Sequence, residues 1–209
     1  QMNLNKEQAK LLENTYKSFV RNGANLSAED KEKLRELNTK LSELTLKFDQ
    51  NLLHETNNTY VTVDKVEELE GLPEANIQRA AELAKQIGQE GKYTFNMQRP
   101  SCNPVLQYCK NRELRQKVYN AYYNRGNQNN EWNNKEVAKQ VFQLRLEKAK
   151  LFGYESAADM ILDNGRMAKV PSKVYDLLMS IWTPAVKKAN EEIADIKAEI
   201  KKDGFDFEP

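Results

Sequence analysis

The chain has 209 residues, enough for one large domain or two small ones, and 39% of them are hydrophobic, which supplies material for a core. Its 32 lysines and arginines nearly cancel 31 aspartates and glutamates, leaving a formal net charge of +1. That balance excludes the broad basic field with which a protein gathers a phosphate backbone, so nucleic acid is not an expected partner. No run of about 18 apolar residues occurs, so no membrane segment is expected. The opening QMNLNKEQAK lacks the basic start and apolar stretch of an export signal. A glutamine ahead of Met2 suggests a segment cut from something longer, which leaves the compartment open: the cytoplasm is favoured, with the periplasm as the alternative.

The first element is a helix over residues 3–21, with Leu4, Leu12, Tyr16, Phe19 and Val20 near one face and Gly23 at its stop. Ser27 then offers an N-cap hydroxyl to a long helix whose seam is Leu34, Leu37, Leu41, Leu44, Phe48 and Leu52. Spacings of three and four of this kind predict antiparallel packing on the first helix through NGANL. TYVTV at 59–63 and YTF at 93–95 are rich in β-branched and aromatic residues and predict two short strands paired with each other.

Between the strands, Asp64 can cap a short helical turn, and GLPE starts a helix with Ile77, Ala80, Ala81, Ala84 and Ile87 that ends near Gly88. Asn103-Pro104 and Asn111 are candidate caps of two further helices, the second carrying Leu114, Val118, Ala121 and Tyr122 up to Gly126. NQNNEWNN is a polar connector. Asn134 opens a helix with Val137, Val141, Leu144, Lys148 and Leu151, closed by Gly153, and a short helix follows around residues 156–162. From Pro171 to Lys202 runs an amphipathic stretch marked by Val174, Leu178, Ile181, Ala185, Ile193, Ile196 and Ile200, which Pro184 should kink or split. The fold class is mainly α, a multi-helix domain with a small two-stranded β-ribbon.

His54-Glu55 is the first half of a His-Glu-x-x-His zinc signature, in which two imidazoles one helical turn apart share a metal. Position 58 is Asn, and His54 is the only histidine in the chain. His54 is therefore read as an ordinary helix-surface residue, well away from the seam, with Glu55 nearer to it. Cys102 and Cys109 lack further Cys or His partners, so neither a zinc ribbon nor a redox Cys-x-x-Cys fits, and two packed or half-exposed thiols are expected. Tyr119, Tyr122, Tyr123 and Arg125 could form a substrate-contacting surface, but Tyr122 shares a face with Leu114 and Val118, which favours core and half-core aromatics. The residues themselves mark no catalytic, cofactor-binding or metal-binding position.

ELNTKLSELTLKFDQNLLHETN, GLPE, NRELRQKVYNAYYNRG and LRLEKAKLFGYESAADMILDNGRMAKVP, in that order, resemble the N-terminal helical part of the thimet-oligopeptidase-like zinc metallopeptidases, and within them the bacterial peptidyl-dipeptidases. The resemblance covers roughly residues 10–200. It departs at Asn133-Asn134, where the family often has Asp-Asn. It implies a two-lobed helical enzyme around a deep channel that removes dipeptides from the C-termini of short peptides. Its zinc helix and third ligand lie in a C-terminal half that this chain does not reach. On that reading residues 1–209 are a non-catalytic N-terminal fragment, part of a channel wall, holding no zinc itself and partnered by the catalytic half of the same polypeptide. A stand-alone helical interaction module is the alternative.

Overall fold

The computed structural model describes residues 3–204, which hold eight α-helices, one 3₁₀ turn and one two-stranded antiparallel sheet. The chain is mainly α, as its periodicity predicts. It divides into two compact units, one running Ser27–Arg145 and the other made of the stretch up to Leu26 together with the chain from Leu146 onward.

Helix α1 (Lys6–Arg21) belongs to the second of these units. It begins at a capping box in which the Gln8 amide donates to Asn5 Oδ1 at 2.8 Å and the Asn5 amide donates to Gln8 Oε1 at 3.0 Å. It stops at Gly23, whose φ of +94° only glycine adopts without strain.

The Ser27–Arg145 unit opens with α2 (Ala28–Asn58), where Ser27 Oγ accepts the Asp30 amide at 3.1 Å and Glu29 and Asp30 face the positive end of the helix dipole. Leu34 is buried, and the remaining seam positions down to Leu52 are half-buried. The chain then turns into β1 (Tyr60–Val63), which pairs with β2 (Tyr93–Asn96) so that Val61 faces Phe95 and Thr62 faces Thr94. Alternation along the strands sends Val61, Val63 and Phe95 into the core. On the opposite face the Thr62 and Thr94 hydroxyls meet at 2.9 Å, and Thr94 is fully buried, so the ribbon is covered on both sides.

A 3₁₀ turn over Val66–Leu69 follows β1, with Lys65 rather than Asp64 in the cap position. Helix α3 (Glu74–Gln86) starts after Pro73 and lies along β2. Helix α4 (Arg99–Tyr108) corrects the expected start at Asn103-Pro104: the helix begins a turn earlier, with Pro100 in its first turn and Pro104 inside it. Pro100 has a φ already fixed for a helix and sits where a missing N–H does no harm, so it nucleates the turn that Pro104 then only weakens.

Helix α5 (Arg112–Tyr123) is capped by Asn111, which accepts the Leu114 amide at 3.2 Å. Arg115 bridges the link between α4 and α5 by donating to the Cys109 and Lys110 carbonyls at 2.6 and 3.0 Å. Leu69, Phe95, Cys102, Val105, Leu114 and Val118 close the core. Full burial of side chains this size stabilises by about 1.5–3 kcal/mol each before chain entropy is counted. Both cysteines are free and buried, and desolvation pushes the Cys102 thiol up from its ordinary range.

Helix α6 (Lys135–Leu151) opens at Asn134, which is buried. The Asn51 amide donates to Asn134 Oδ1 at 2.9 Å, Asn134 Nδ2 donates to the Phe48 carbonyl at 3.0 Å, and the Asn134 N–H donates to the Gly126 carbonyl at 2.7 Å. Two turns of α2 are thereby clamped to the start of α6. Asn133 accepts the Lys135 amide at 2.9 Å and donates to the Gln128 carbonyl. An ionised aspartate at 133 keeps the first bond and loses the second, so asparagine here adds a donor to the connector where the related pattern has an acid.

The last turns of α6 belong to the other unit, with α7 (Ala157–Asp163) and α8 (Pro171–Lys202). The expected α1–α2 hairpin spans the boundary of the two units, with α1 in one and α2 in the other. Within its own unit, α1 is tied at its end by Arg21, whose guanidinium donates to the Asp163 carbonyl at 2.8 Å. Leu12, Tyr16 and Phe19 remain exposed. Pro184 does not split α8, which runs unbroken through it; one lost hydrogen bond does not end a helix whose backbone bonds continue on both sides.

Two substitutions test this account. Gly71 has a φ of +94° and a side chain there would run into the Tyr108 carbonyl oxygen, so Gly71→Ala is expected to destabilise by about 2 kcal/mol or more in a denaturant titration. Asn134→Ala leaves the buried Asn51 amide and the Phe48 carbonyl without their partner, and a loss of about 2–3 kcal/mol is expected. A change below about 0.5 kcal/mol in either variant contradicts it.

Candidate functional site

The polar connector after α5 folds back onto the C-terminal end of α2, and Glu55 is the reason. This carboxylate is 3% exposed and accepts from the Gly126 backbone N–H and from Asn130 Nδ2, the latter at 2.6 Å. Asn130 Oδ1 accepts the Trp132 amide at 3.0 Å, which orients the next residues of the connector. Trp132 then stacks on His54, ring centroids 3.8 Å apart and planes at 17°. His54 is thus half-buried beneath an indole, which corrects its reading as an ordinary surface residue. The partner comes from far along the chain, and a helical wheel carries no information about it. Glu55 does lie on the seam side, as expected.

His54 and Glu55 therefore face different partners, and Asn58 donates to the His54 carbonyl at 2.9 Å. Among the described residues no group of three or more His, Cys, Asp or Glu is placed to hold a metal ion. The residues at His54 do not fit a zinc centre. What they do build is an open groove of about 540 Å³ lined by His54, Glu55, Tyr60, Glu131 and Trp132 with three neutral amides and Thr59. Sequence reasoning passed over Glu131 and Trp132; a lone tryptophan among amides in NQNNEWNN was the available signal.

The tyrosine group divides. Tyr122 packs half-buried on the core, with the Arg125 guanidinium 3.8 Å from its ring centre, and Arg99 and then Arg125 hold its hydroxyl below the ordinary tyrosine range. Arg125 also donates to the Tyr122 carbonyl and to Thr56 Oγ1, both at 2.8 Å. Tyr119 and Tyr123 stand exposed with centroids 4.4 Å apart, so only Tyr122 follows the core expectation. One helical turn separates them from each other, while Tyr122 alone continues the line of Leu114 and Val118.

In the other unit, Tyr154 donates to Asp163 Oδ2 at 2.7 Å, and Arg21 lies 3.7 Å from the same oxygen. The Tyr154 hydroxyl and Arg21 hold the Asp163 carboxyl below the usual carboxylate range. Beside them is a cleft of about 480 Å³ lined by Val20, Arg21, Lys148, Phe152, Met160 and neutral polar groups. The largest feature of this unit is α8. Tyr175, Leu177, Leu178, Met179, Ile181 and Trp182 are all exposed and spread over rather more than half of the helix circumference, while Lys173, Asp176, Ser180 and Thr183 share the remaining face.

The profile of peptidase family M3 matches residues 105–209. Oligopeptidase A of Haemophilus influenzae is 33% identical over 200 residues, covering 94% of this chain and 29% of the relative. Dipeptidyl carboxypeptidase of Escherichia coli is 31% identical over 211 residues, covering 100% of this chain and 31% of the relative. A probable cytosolic oligopeptidase A of Arabidopsis thaliana is 32% identical over 211 residues, covering 96% and 29%. The chain therefore spans about three-tenths of the length of the relatives it matches. On the match of half the chain to the family profile, supported by these relatives, the chain belongs to peptidase family M3.

Proposed function

We propose that this chain serves as a non-catalytic helical portion of a zinc metallopeptidase that removes dipeptides from the C-termini of short peptides, forming part of the wall of its substrate channel. The observation that carries the reading is the first half of α8, whose broad apolar face from Tyr175 to Trp182 is exposed. An apolar helix face of this width is ordinarily covered, so its proposed surroundings are more protein than this chain supplies. The catalytic half of the same polypeptide is the proposed neighbour. Membership of family M3 and the names of the relatives, which include both oligopeptidases and dipeptidyl carboxypeptidases, support a peptidase acting on peptides. Zinc in the whole enzyme supplies a polarised water for attack on the scissile carbonyl. The proposed role of this chain's own residues is shape and steric selection.

Three measurements test the proposal. Chelator-washed chain is expected to carry no stoichiometric zinc by elemental analysis and to leave a quenched fluorescent peptide intact; about one tightly held zinc per chain contradicts it. Light scattering and a dye for apolar surface are expected to report either self-association or an exposed patch above the few hundred Å² of an ordinary monomer. A monomeric, dye-silent chain with a cooperative melt favours the stand-alone interaction module instead. In the full-length peptidase, mass spectrometry is expected to show a free-carboxyl peptide losing successive C-terminal residue pairs, whereas equal cleavage of its C-terminal amide overturns the dipeptide assignment.

A further inference from the structure

We propose that the groove at the C-terminal end of α2 binds an organic cation, an ammonium or guanidinium group carried on an aliphatic stem. The inference stands on the groove's own chemistry and does not depend on the peptidase reading.

The charge in the groove is one-sided. Glu55 is buried at its base, and both of its recorded partners are neutral amides, the Gly126 N–H and the Asn130 side chain. Glu131 stands exposed at the rim. No lysine or arginine is among the lining residues. The last turn of α2 also has no basic residue, so the negative end of its dipole adds to the two carboxylates. Helix C-termini ordinarily collect cations, and this one carries a buried acid instead. The missing positive charge is what a ligand would bring.

The walls suit the rest of such a ligand. Trp132 stacks on His54, and Tyr60, 38% exposed, is also among the lining residues. Aromatic faces attract ammonium and guanidinium groups and also cover an aliphatic stem. A volume of about 540 Å³ admits an arginine- or lysine-like side chain. Anions are disfavoured by the carboxylates, and a neutral alkyl group gains nothing from them.

Trp132 reports occupancy directly, because the chain has two tryptophans and Trp182→Phe leaves it as the sole one, excited selectively at the red edge beyond tyrosine absorption. Titration of that variant with n-butylguanidinium or n-butylammonium is expected to change its fluorescence saturably, while n-butanol at equal concentration does not. Glu131→Gln, at an exposed position where folding is not at issue, is expected to weaken cation binding roughly threefold at low salt. Glu55→Gln removes the buried charge and is expected to weaken it further, a folded variant being verified by circular dichroism. Equal response to butanol, no saturable response to either cation, or an unchanged affinity in Glu131→Gln overturns the proposal. A short arginine-containing peptide identifies the source: tighter binding than n-butylguanidinium assigns the groove to a polypeptide side chain, and equal binding assigns it to a free small cation.

Discussion

The organisation of the Ser27–Arg145 unit depends on one buried carboxylate. Glu55 sits in the final turn of α2, where an acid is unfavourable for the helix dipole, and is withdrawn from water to 3% exposure. A buried charge tolerates this only if its lone pairs are used, and here the Gly126 amide and Asn130 use them. Gly126 is the turn that ends the α5 segment, with a φ of +72°, and Asn130 is in the middle of the polar connector. Fixing both to α2 determines where the chain re-enters the fold at Asn134 and where the Trp132 ring comes to rest.

Gly126 also explains why the clamp is tight. A side chain at this position would meet the Asn134 amide at 3.1 Å, so the approach of the connector to the start of α6 uses the absence of a Cβ as well as the positive φ. The neighbouring Asn51–Asn134–Phe48 bonds then close a polar layer between two helices that have apolar residues on either side of it. Satisfied networks of this kind give one packing arrangement rather than several, because any slip leaves buried amides without partners.

The two units differ in how completely they cover their own apolar groups. The Ser27–Arg145 unit buries Phe95, Leu69, Met97, Leu114 and Val118 almost wholly. In the other unit α1, α7 and α8 bury no residue, and Phe19, Ile161, Leu178 and Trp182 are among the exposed ones. The same burial rule that closes one core leaves the other without a covering layer. That contrast gives the proposed role in a larger peptidase its physical basis.

Most of the helices, the β-ribbon and the caps at Ser27 and Asn111 were legible in the residues, because each is a local pattern: a period of 3.6 or 2, a hydroxyl or amide at a helix start, a glycine at a stop. The shift of α4 to Pro100 and the continuity of α8 through Pro184 were not, since local proline rules compete with how much helix lies on either side. The assignment of α1 and α2 to different units was invisible for a further reason: an amphipathic face says that a helix packs and does not say which compact unit it joins. The His54–Trp132 stack, the Glu55 bonds and the groove they line join residues far apart in the chain, and only the tertiary fold brings them together. Order and spacing of the segments sufficed for the family; which acid is buried, and what faces it, was decided by the folded chain.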